Sequence, residues 1–148
     1  FKFKMGKTVG TIVCYSSGIL FGIGWWFLIG ATIGANQGQS KGAPPQFVHF
    51  LPGIFGSICL FMINMVSWSE LNGSVFNDGA TGKAQAWLLV WLILLFGCVI
   101  AGCWAAFAND DWFGENAINA FPGISLIINV ALILVSTLLF RFARGGGE

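Results

Sequence analysis

Charged side chains are scarce in this chain. Asp, Glu, Lys and Arg make up 9% of its 148 residues, whereas soluble domains carry roughly 25%. This scarcity excludes a soluble globular domain and a disordered tail, because both need a polar surface in contact with water. The formal net charge of +1 also argues against a nucleic acid as partner, since binding a polyanion requires an excess of basic residues.

Apolar residues take the place of the missing charges. Hydrophobic residues account for 56% of the chain, glycine adds 21 positions, and the mean hydropathy is +0.79. Four long runs contain no Asp, Glu, Lys or Arg, and they cover 8–40, 42–69, 84–109 and 116–140. Each run exceeds the ~20 residues that a helix needs to cross a bilayer.

These runs predict the fold class. They are continuously apolar and do not alternate as the strands of a membrane barrel do. Backbone groups in lipid must form hydrogen bonds within their own segment, which favours helices. We therefore expect an all-α polytopic membrane protein with a single membrane domain over 1–148. Its bundle of four transmembrane helices is predicted near 9–31, 48–69, 85–107 and 119–140.

The basic residues predict the orientation of these spans, because Lys and Arg are enriched in short cytosolic segments. Four spans place the N-terminal tail, the loop between helices 2 and 3 and the C-terminal tail on one side. That side carries Lys2, Lys4, Lys7, Lys83, Arg141 and Arg144, and the other carries only Lys41. We expect both termini in the cytosol, and Asn72, which begins a glycosylation sequon, unmodified.

Groups that carry catalysis or bind metals are few. No predicted span contains the ionisable residues that ion-coupled carriers normally need. His49 is the single histidine and has no evident second ligand for a metal or haem. We interpret the cysteines as small buried apolar residues and the acidic residues near the third loop as solvated. No enzyme activity, cofactor or metal site is expected. The cysteines are Cys14, Cys59, Cys98 and Cys103, and the acidic residues are Asp110, Asp111 and Glu115.

Small and aromatic residues indicate where helices meet each other or the membrane surface. Glycines four residues apart, such as Gly18 and Gly22, allow close helix approach inside the bundle or with a partner chain. Helix 1 also holds Gly24 and the pair Trp25-Trp26, which could contact lipid, a neighbouring subunit or the interface. Most of the remaining tryptophans flank predicted connections, as in the aromatic belt of membrane proteins. Among them are Trp68, Trp87, Trp104 and Trp112.

Two amides lie inside apolar segments. Asn64 is in the second half of helix 2, and Asn129 is near the middle of helix 4. An amide in hydrocarbon seeks a partner across a helix contact, worth roughly 0.6–2 kcal/mol. Both residues are therefore candidates for interhelical contacts, and the alternative is a polar spot that contacts a lipid or ligand.

Five short motifs occur in order along about 120 residues. They are GILFGIGWW from Gly18, FMINMVS from Phe61, TGKA from Thr81, PGI from Pro122 and RFAR from Arg141. Together they resemble the motifs of the transmembrane-protein-50 / vacuolar protein sorting 68 family. An acidic residue expected just after the Trp-Trp pair is absent, since Gly30 and Ala31 occupy that region.

The resemblance implies a small four-helix endomembrane protein of the ER, Golgi or endosome with cytosolic termini, in a family with no established catalytic activity. Another organelle membrane is the alternative location. It also implies a role in late endosome-to-vacuole sorting, in complex with another small four-helix membrane protein. That partner would be similar to the leptin-receptor overlapping transcript product.

Three functions compete at this stage. The first is a non-enzymatic scaffold or trafficking component that acts through helix contacts with partner membrane proteins. The alternative is an accessory structural subunit of a large energy-transducing or biosynthetic membrane complex. A lipid or small-solute transporter ranks last, because the broken helices of carriers are not evident. Integral membrane proteins and lipids are the expected partners.

Overall fold

The computed structural model describes residues 6–36, 46–66, 78–114 and 121–145. Within these ranges all regular structure is helical, and no strand occurs. The helices in chain order are α1 (Lys7–Asn36), α2 (Phe47–Met65), α3 (Asp78–Phe107), the short α4 (Asp110–Phe113) and α5 (Phe121–Gly145).

Four of the helices are long and apolar enough to cross a membrane. The qualifying segments are Lys7–Gly34, Phe47–Met65, Gly82–Phe107 and Phe121–Arg144. This confirms the predicted all-α class with four transmembrane helices. The side of the membrane that holds the termini stays a prediction. Below, "terminal end" means the end of the bundle where α1 begins and α5 ends.

Local sequence explains where two of these helices begin. The N–H group of Gln46 donates a hydrogen bond to Nδ1 of His49 at 3.0 Å, which satisfies a free donor at the start of α2. The single histidine thus takes part in forming a helix terminus. Pro122 occupies the first turn of α5, where a proline removes no helical hydrogen bond.

Helix α5 lies at the centre of the bundle and contacts α1, α2 and α3. Its membrane-crossing window is 44% buried, against 17% for α1 and 11% for α3. Helix α1 packs mainly on α5, whereas α2 packs on both α3 and α5. The arrangement leaves α1 and α2 on adjacent sides of α5 without an extended contact between them.

A seam of small residues joins α1 to α5 in antiparallel orientation. On each helix these residues recur at every seventh position, the spacing that keeps two supercoiled helices in contact along one face. All of them are buried. The seam consists of Gly10, Ser17, Gly24 and Ala31 on α1 and Pro122, Asn129, Ser136 and Ala143 on α5.

Two glycines of the seam allow the backbones to approach closely. A Cβ atom on Gly10 would lie 3.4 Å from the carbonyl oxygen of Ala143. A Cβ atom on Gly24 would lie 3.2 Å from the Cβ of Leu132. Such close approach is how helices gain van der Waals contact in lipid, where no hydrophobic driving force brings them together.

The end of the bundle opposite the terminal end is filled by Trp112 of α4. Its side chain is 0% exposed, and its ring lies 4.7 Å from that of His49. The expectation that Trp112 belongs to an exposed aromatic belt was therefore wrong. The connection after α3 forms a helical turn that directs this tryptophan into the core. Trp104, by contrast, is 73% exposed, as expected for a belt residue.

Candidate functional site

A groove of about 440 Å³ opens on the side of the bundle between α1 and α2, with α5 as its floor. We call it the lateral groove. Its volume lies within the range of roughly 300–1,000 Å³ that small-molecule sites occupy. The lining is almost entirely apolar. It comprises Cys14, Ser17, Gly18, Phe21, Leu60, Phe61, Asn64, Met65, Ser136 and Phe140.

The lateral groove exists because the seam holds α1 against α5 on one side while α2 packs on the other. Gly18 widens the gap, since it has no side chain and no atom of the described residues lies within 4 Å of the position of a Cβ atom. The phenyl groups of Phe21, Phe61 and Phe140 provide the walls. Phe61 is 65% exposed, so this wall also borders the surrounding hydrocarbon.

Three polar side chains line the lateral groove, and each donates a hydrogen bond to a main-chain carbonyl. Ser17 Oγ donates to Cys14 at 2.7 Å, and Ser136 Oγ donates to Ser17 at 2.7 Å. Asn64 Nδ2 donates to Leu60 at 2.8 Å. Asn64 Oδ1 is buried and accepts no hydrogen bond from the part of the chain that the structure describes. The amide of Asn64 therefore keeps an unused acceptor at Oδ1 and a second N–H at Nδ2.

Trp25 lies on α1 one helical turn beyond Phe21, the last residue of α1 that lines the lateral groove. Its indole Nε1 donates a hydrogen bond to Ser57 Oγ on α2 at 3.2 Å, and Ser57 donates in turn to the carbonyl of Gly53 at 2.8 Å. Trp25 also packs against both hydrophobic clusters of the core. This side chain is thus a bridge between α1 and α2 where their backbones stay apart.

Two arginines of α5 bind the carbonyls at the end of α2. Arg141 is 5% exposed and donates to the carbonyls of Val66 and Ile63, the latter at 3.5 Å. Arg144 donates to the carbonyl of Asn64. These carbonyls end α2 and have no helical partner, so cations from α5 satisfy them and oppose the negative end of the helix dipole. From the sequence, the two arginines served only to predict the orientation of the spans. Their bonds to α2 could not be predicted, because the carbonyls that accept them lie on another helix.

The adjacent tryptophans of helix 1 have different environments. Trp25 points into the bundle, as described above, whereas Trp26 is 78% exposed. Successive residues on a helix are about 100° apart, so only one member of the pair can face the core. The sequence grouped them as one candidate site, and the structure separates them.

The glycines of helix 1 divide in the same way. Gly24 lies in the seam against α5, whereas a Cβ atom on Gly18 or Gly22 would have no neighbouring atom within 4 Å. Neither Gly18 nor Gly22 therefore makes a close helix contact within the described part of the bundle. Their role in binding a partner stays a prediction. The seam residues Gly10 and Ser17 were not among the candidates, although the recurrence of small residues every seven positions up to Gly24 was a usable signal.

Asn129 is fully buried at the centre of the bundle. A Cβ atom on Gly53 would lie 2.6 Å from its Oδ1, so α2 and α5 meet closely here. Neither polar atom of the amide has a hydrogen-bond partner among the described residues. Both amides were predicted to form interhelical contacts. Asn129 lies on α5 and Asn64 on α2, two helices that pack together, but only Asn64 lines the lateral groove.

The described residues hold no group of three or more His, Cys, Asp or Glu side chains that could bind a metal ion. The four cysteines are free thiols. The polar groups that the structure brings together are amides, hydroxyls and two arginines engaged with the backbone. This arrangement can bind and position an apolar molecule.

Fold and groove together define a small multi-pass integral membrane protein. The chain belongs to the family described as "Uncharacterised protein family (UPF0220)", whose profile matches residues 1–148. It is similar to the "Transmembrane protein 50 homolog" of Dictyostelium discoideum, with 31% identity over 148 aligned residues. That alignment covers 95% of this chain and 94% of the relative. The predicted family resemblance is confirmed. No solved structure matches the chain significantly.

Proposed function

We propose that this protein is a non-enzymatic scaffold or trafficking component that binds partner membrane proteins through the outer face of α1. The observation that carries the proposal is the contrast between two sets of small residues on this helix. The seam uses Gly10, Ser17 and Gly24 for contact with α5, whereas Gly22 and Gly30 are exposed, and no atom of the described residues lies near the position of a Cβ atom on either.

The outward glycines need an explanation because glycine is costly inside a helix. Relative to alanine it disfavours a helix by about 1 kcal/mol in water. Close packing against another helix offsets this cost, as it does at Gly24. Nothing within the described chain does so at Gly22. The same is true of Gly97 on α3, so Gly22 supports a contact with a second protein only together with the exposed Trp26 beside it.

Trp26 strengthens this interpretation. It lies one turn along α1 from Gly22 and is 78% exposed. Tryptophan is the residue type most enriched among side chains that dominate binding energy at interfaces. On the surface of α1, the large exposed ring of Trp26 protrudes beside the low surface at Gly22. Helices pack when such protrusions of one fit into the depressions of the other.

The family relationship extends the proposal to cellular role and place. We propose an endomembrane location, cytosolic termini and a part in sorting of the late endosome-to-vacuole type. The partner would be one small four-helix membrane protein. The matched relatives support membership of the family, and the partner and compartment rest on the resemblance described above.

Three glycine variants test the contact. The full-length protein is purified from its native membrane in mild detergent, and bound proteins are identified by mass spectrometry. Gly22→Leu should release a stoichiometric partner. Gly97→Leu is the matched control, because Gly97 is an exposed glycine of α3 with nothing within 4 Å. Gly24→Leu reports the effect of damaging the bundle itself. A partner that survives Gly22→Leu unchanged would contradict the proposal.

A second function is favoured by the exposure of α3. Only 11% of its membrane-crossing window is buried, and apolar side chains project from most of its surface. Such a helix would suit an accessory subunit embedded in a large assembly. The same purification distinguishes the two functions: co-purification with a large multi-subunit complex supports the accessory role, and a single partner of similar size supports the scaffold.

A further inference from the structure

We propose that the lateral groove binds a membrane sterol, with the sterol hydroxyl directed to Asn64 and the rings against the aromatic walls. This site is separate from the outer face of α1 around Gly22 and does not depend on the partner-binding role. Hydrogen-bonding capacity, depth in the membrane and the shape of the lining each restrict what can occupy it.

Hydrogen-bonding capacity selects a donor. The hydroxyl protons of Ser17 and Ser136 are already donated to main-chain carbonyls. Asn64 Oδ1 is a buried acceptor without a donor among the described residues, and its side chain is 7% exposed. A buried polar atom in hydrocarbon is unfavourable unless it is hydrogen-bonded. A small rotation of the amide toward the groove would let a ligand hydroxyl donate to Oδ1 and accept from the second N–H of Nδ2, whereas a phosphate or carboxylate cannot donate to Oδ1.

The site offers no free charge to an anionic headgroup. The arginines nearest to Asn64 are Arg141 and Arg144, and both donate to the carbonyls at the end of α2. Neither arginine is among the residues that line the lateral groove. The lining therefore favours a neutral lipid.

The depth of Asn64 in the membrane matches that of a sterol hydroxyl. Asn64 is the second-last residue of α2, so it lies close to the membrane surface at the terminal end of the bundle. Along α1 the groove runs inward from Cys14 to Phe21, about 10 Å at the helical rise per residue. A hydroxyl at Asn64 would thus sit at interfacial depth, with the apolar body directed toward the bilayer centre.

The lining also favours a rigid body over flexible acyl chains. Three phenyl groups and the backbone surface at Gly18 line this space. A rigid ligand loses little conformational entropy when it fills such a space, whereas an acyl chain must be ordered bond by bond. Diacylglycerol, which also carries a hydroxyl, is the appropriate competitor in the test.

The test uses the full chain in phosphatidylcholine nanodiscs with a photoreactive cholesterol analogue that retains the hydroxyl. We expect cross-links on lining residues such as Phe21, Phe61 and Phe140, and their loss when unlabelled cholesterol is added. Cholest-4-en-3-one, which has a ketone in place of the hydroxyl, should compete about tenfold less well, as expected for one lost hydrogen bond. Diacylglycerol should compete more weakly than cholesterol.

Variants separate the groove from general lipid contact. Gly18→Leu fills the groove and should abolish saturable labelling, whereas Gly97→Leu on the exposed face of α3 should leave it unchanged. Asn64→Leu should retain labelling but lose the preference for cholesterol over the ketone, a change that loss of folding would not produce. Gly22→Leu should keep sterol labelling, so that failure of partner binding and failure of sterol binding can be told apart.

Three results would overturn the proposal. They are equal labelling of α3 and of the groove, equal competition by the ketone, and competition by diacylglycerol equal to that by cholesterol. The first would show annular lipid contact only. The second would remove the role of Asn64 as acceptor, and the third would show that the groove does not distinguish a rigid sterol from a flexible lipid.

Discussion

Ser136 on α5 donates its hydroxyl proton to the main-chain carbonyl of Ser17 on α1 at 2.7 Å, across a buried helix interface. The two residues are members of the small-residue seam, and both line the lateral groove. One contact therefore belongs both to the structure that holds α1 in place and to the surface that could receive a lipid. Small side chains at these positions keep the helices close and leave the groove open.

Substitution in the seam should be far more damaging than substitution on the outer face of the same helix. Gly24→Leu should lower the free energy of unfolding by about 2 kcal/mol or more, because its side chain would meet Leu132 at closer than ordinary contact distance. Gly30→Leu is the matched control, since Gly30 is exposed with nothing within 4 Å, and should change it by at most about 0.5 kcal/mol. Unfolding by SDS in mixed micelles measures the free energy of unfolding of both variants. Equal effects would contradict the assignment of Gly24 to the seam.

The contact between α3 and α5 should show coupling between two specific residues. A Cβ atom on Gly102 would lie 2.7 Å from Val130 Cγ1, so Gly102→Ala overpacks this site and should cost about 1–3 kcal/mol. Val130→Ala removes the clashing methyl groups. A double-mutant cycle should therefore show that the two substitutions together cost less than their summed effects. Strict additivity would mean that α3 does not pack on α5 at this point.

The neighbouring tryptophans should respond differently to the same change. Trp25→Phe removes the indole donor that bonds to Ser57 and should lower the free energy of unfolding by about 1 kcal/mol. Trp26→Phe changes an exposed ring and should leave stability in detergent unaltered. Thermal unfolding of the two variants in one detergent provides the comparison. A larger loss for Trp26→Phe would reverse the assigned orientation of α1.

Removal of Arg141 should loosen the end of α2. Arg141→Met leaves the carbonyls of Ile63 and Val66 without this donor, which should cost about 1–3 kcal/mol. Hydrogen exchange should increase in the last turn of α2 more than elsewhere in the chain. Lys83→Met, which removes an exposed charge on α3, serves as the control and should leave that exchange unchanged.

Much of the fold could be predicted because membrane spans depend on local composition. The charge-free runs indicated four helices, and ordered motifs indicated the family. Inward and outward faces could not be assigned in the same way. Gly22 and Gly24 are two residues apart and point in nearly opposite directions, yet spacing alone made both packing candidates. The seam also includes Ser17 and Ala31, whose roles depend on the position of α5.

The groove and the core tryptophan were less accessible to sequence reasoning. Trp112 follows a span, where tryptophan is typical of the interface, and only the helical turn of α4 directs it inward. Asn64 was identified as an unusual amide, but the groove beside it arises from α1 and α2 packing on separate sides of α5. Such a space is a property of three helices together, and no single segment encodes it.

The most direct test of the partner-binding proposal is photo-cross-linking from α1 in the native membrane. Trp26→p-benzoylphenylalanine places the reactive group on the outer face of α1, and Trp104→p-benzoylphenylalanine places it at an equally exposed tryptophan of α3. We predict that residue 26 forms an adduct with one membrane protein, the same protein that Gly22→Leu releases, and that residue 104 does not. Adducts with lipid alone at residue 26 would contradict the proposed interface.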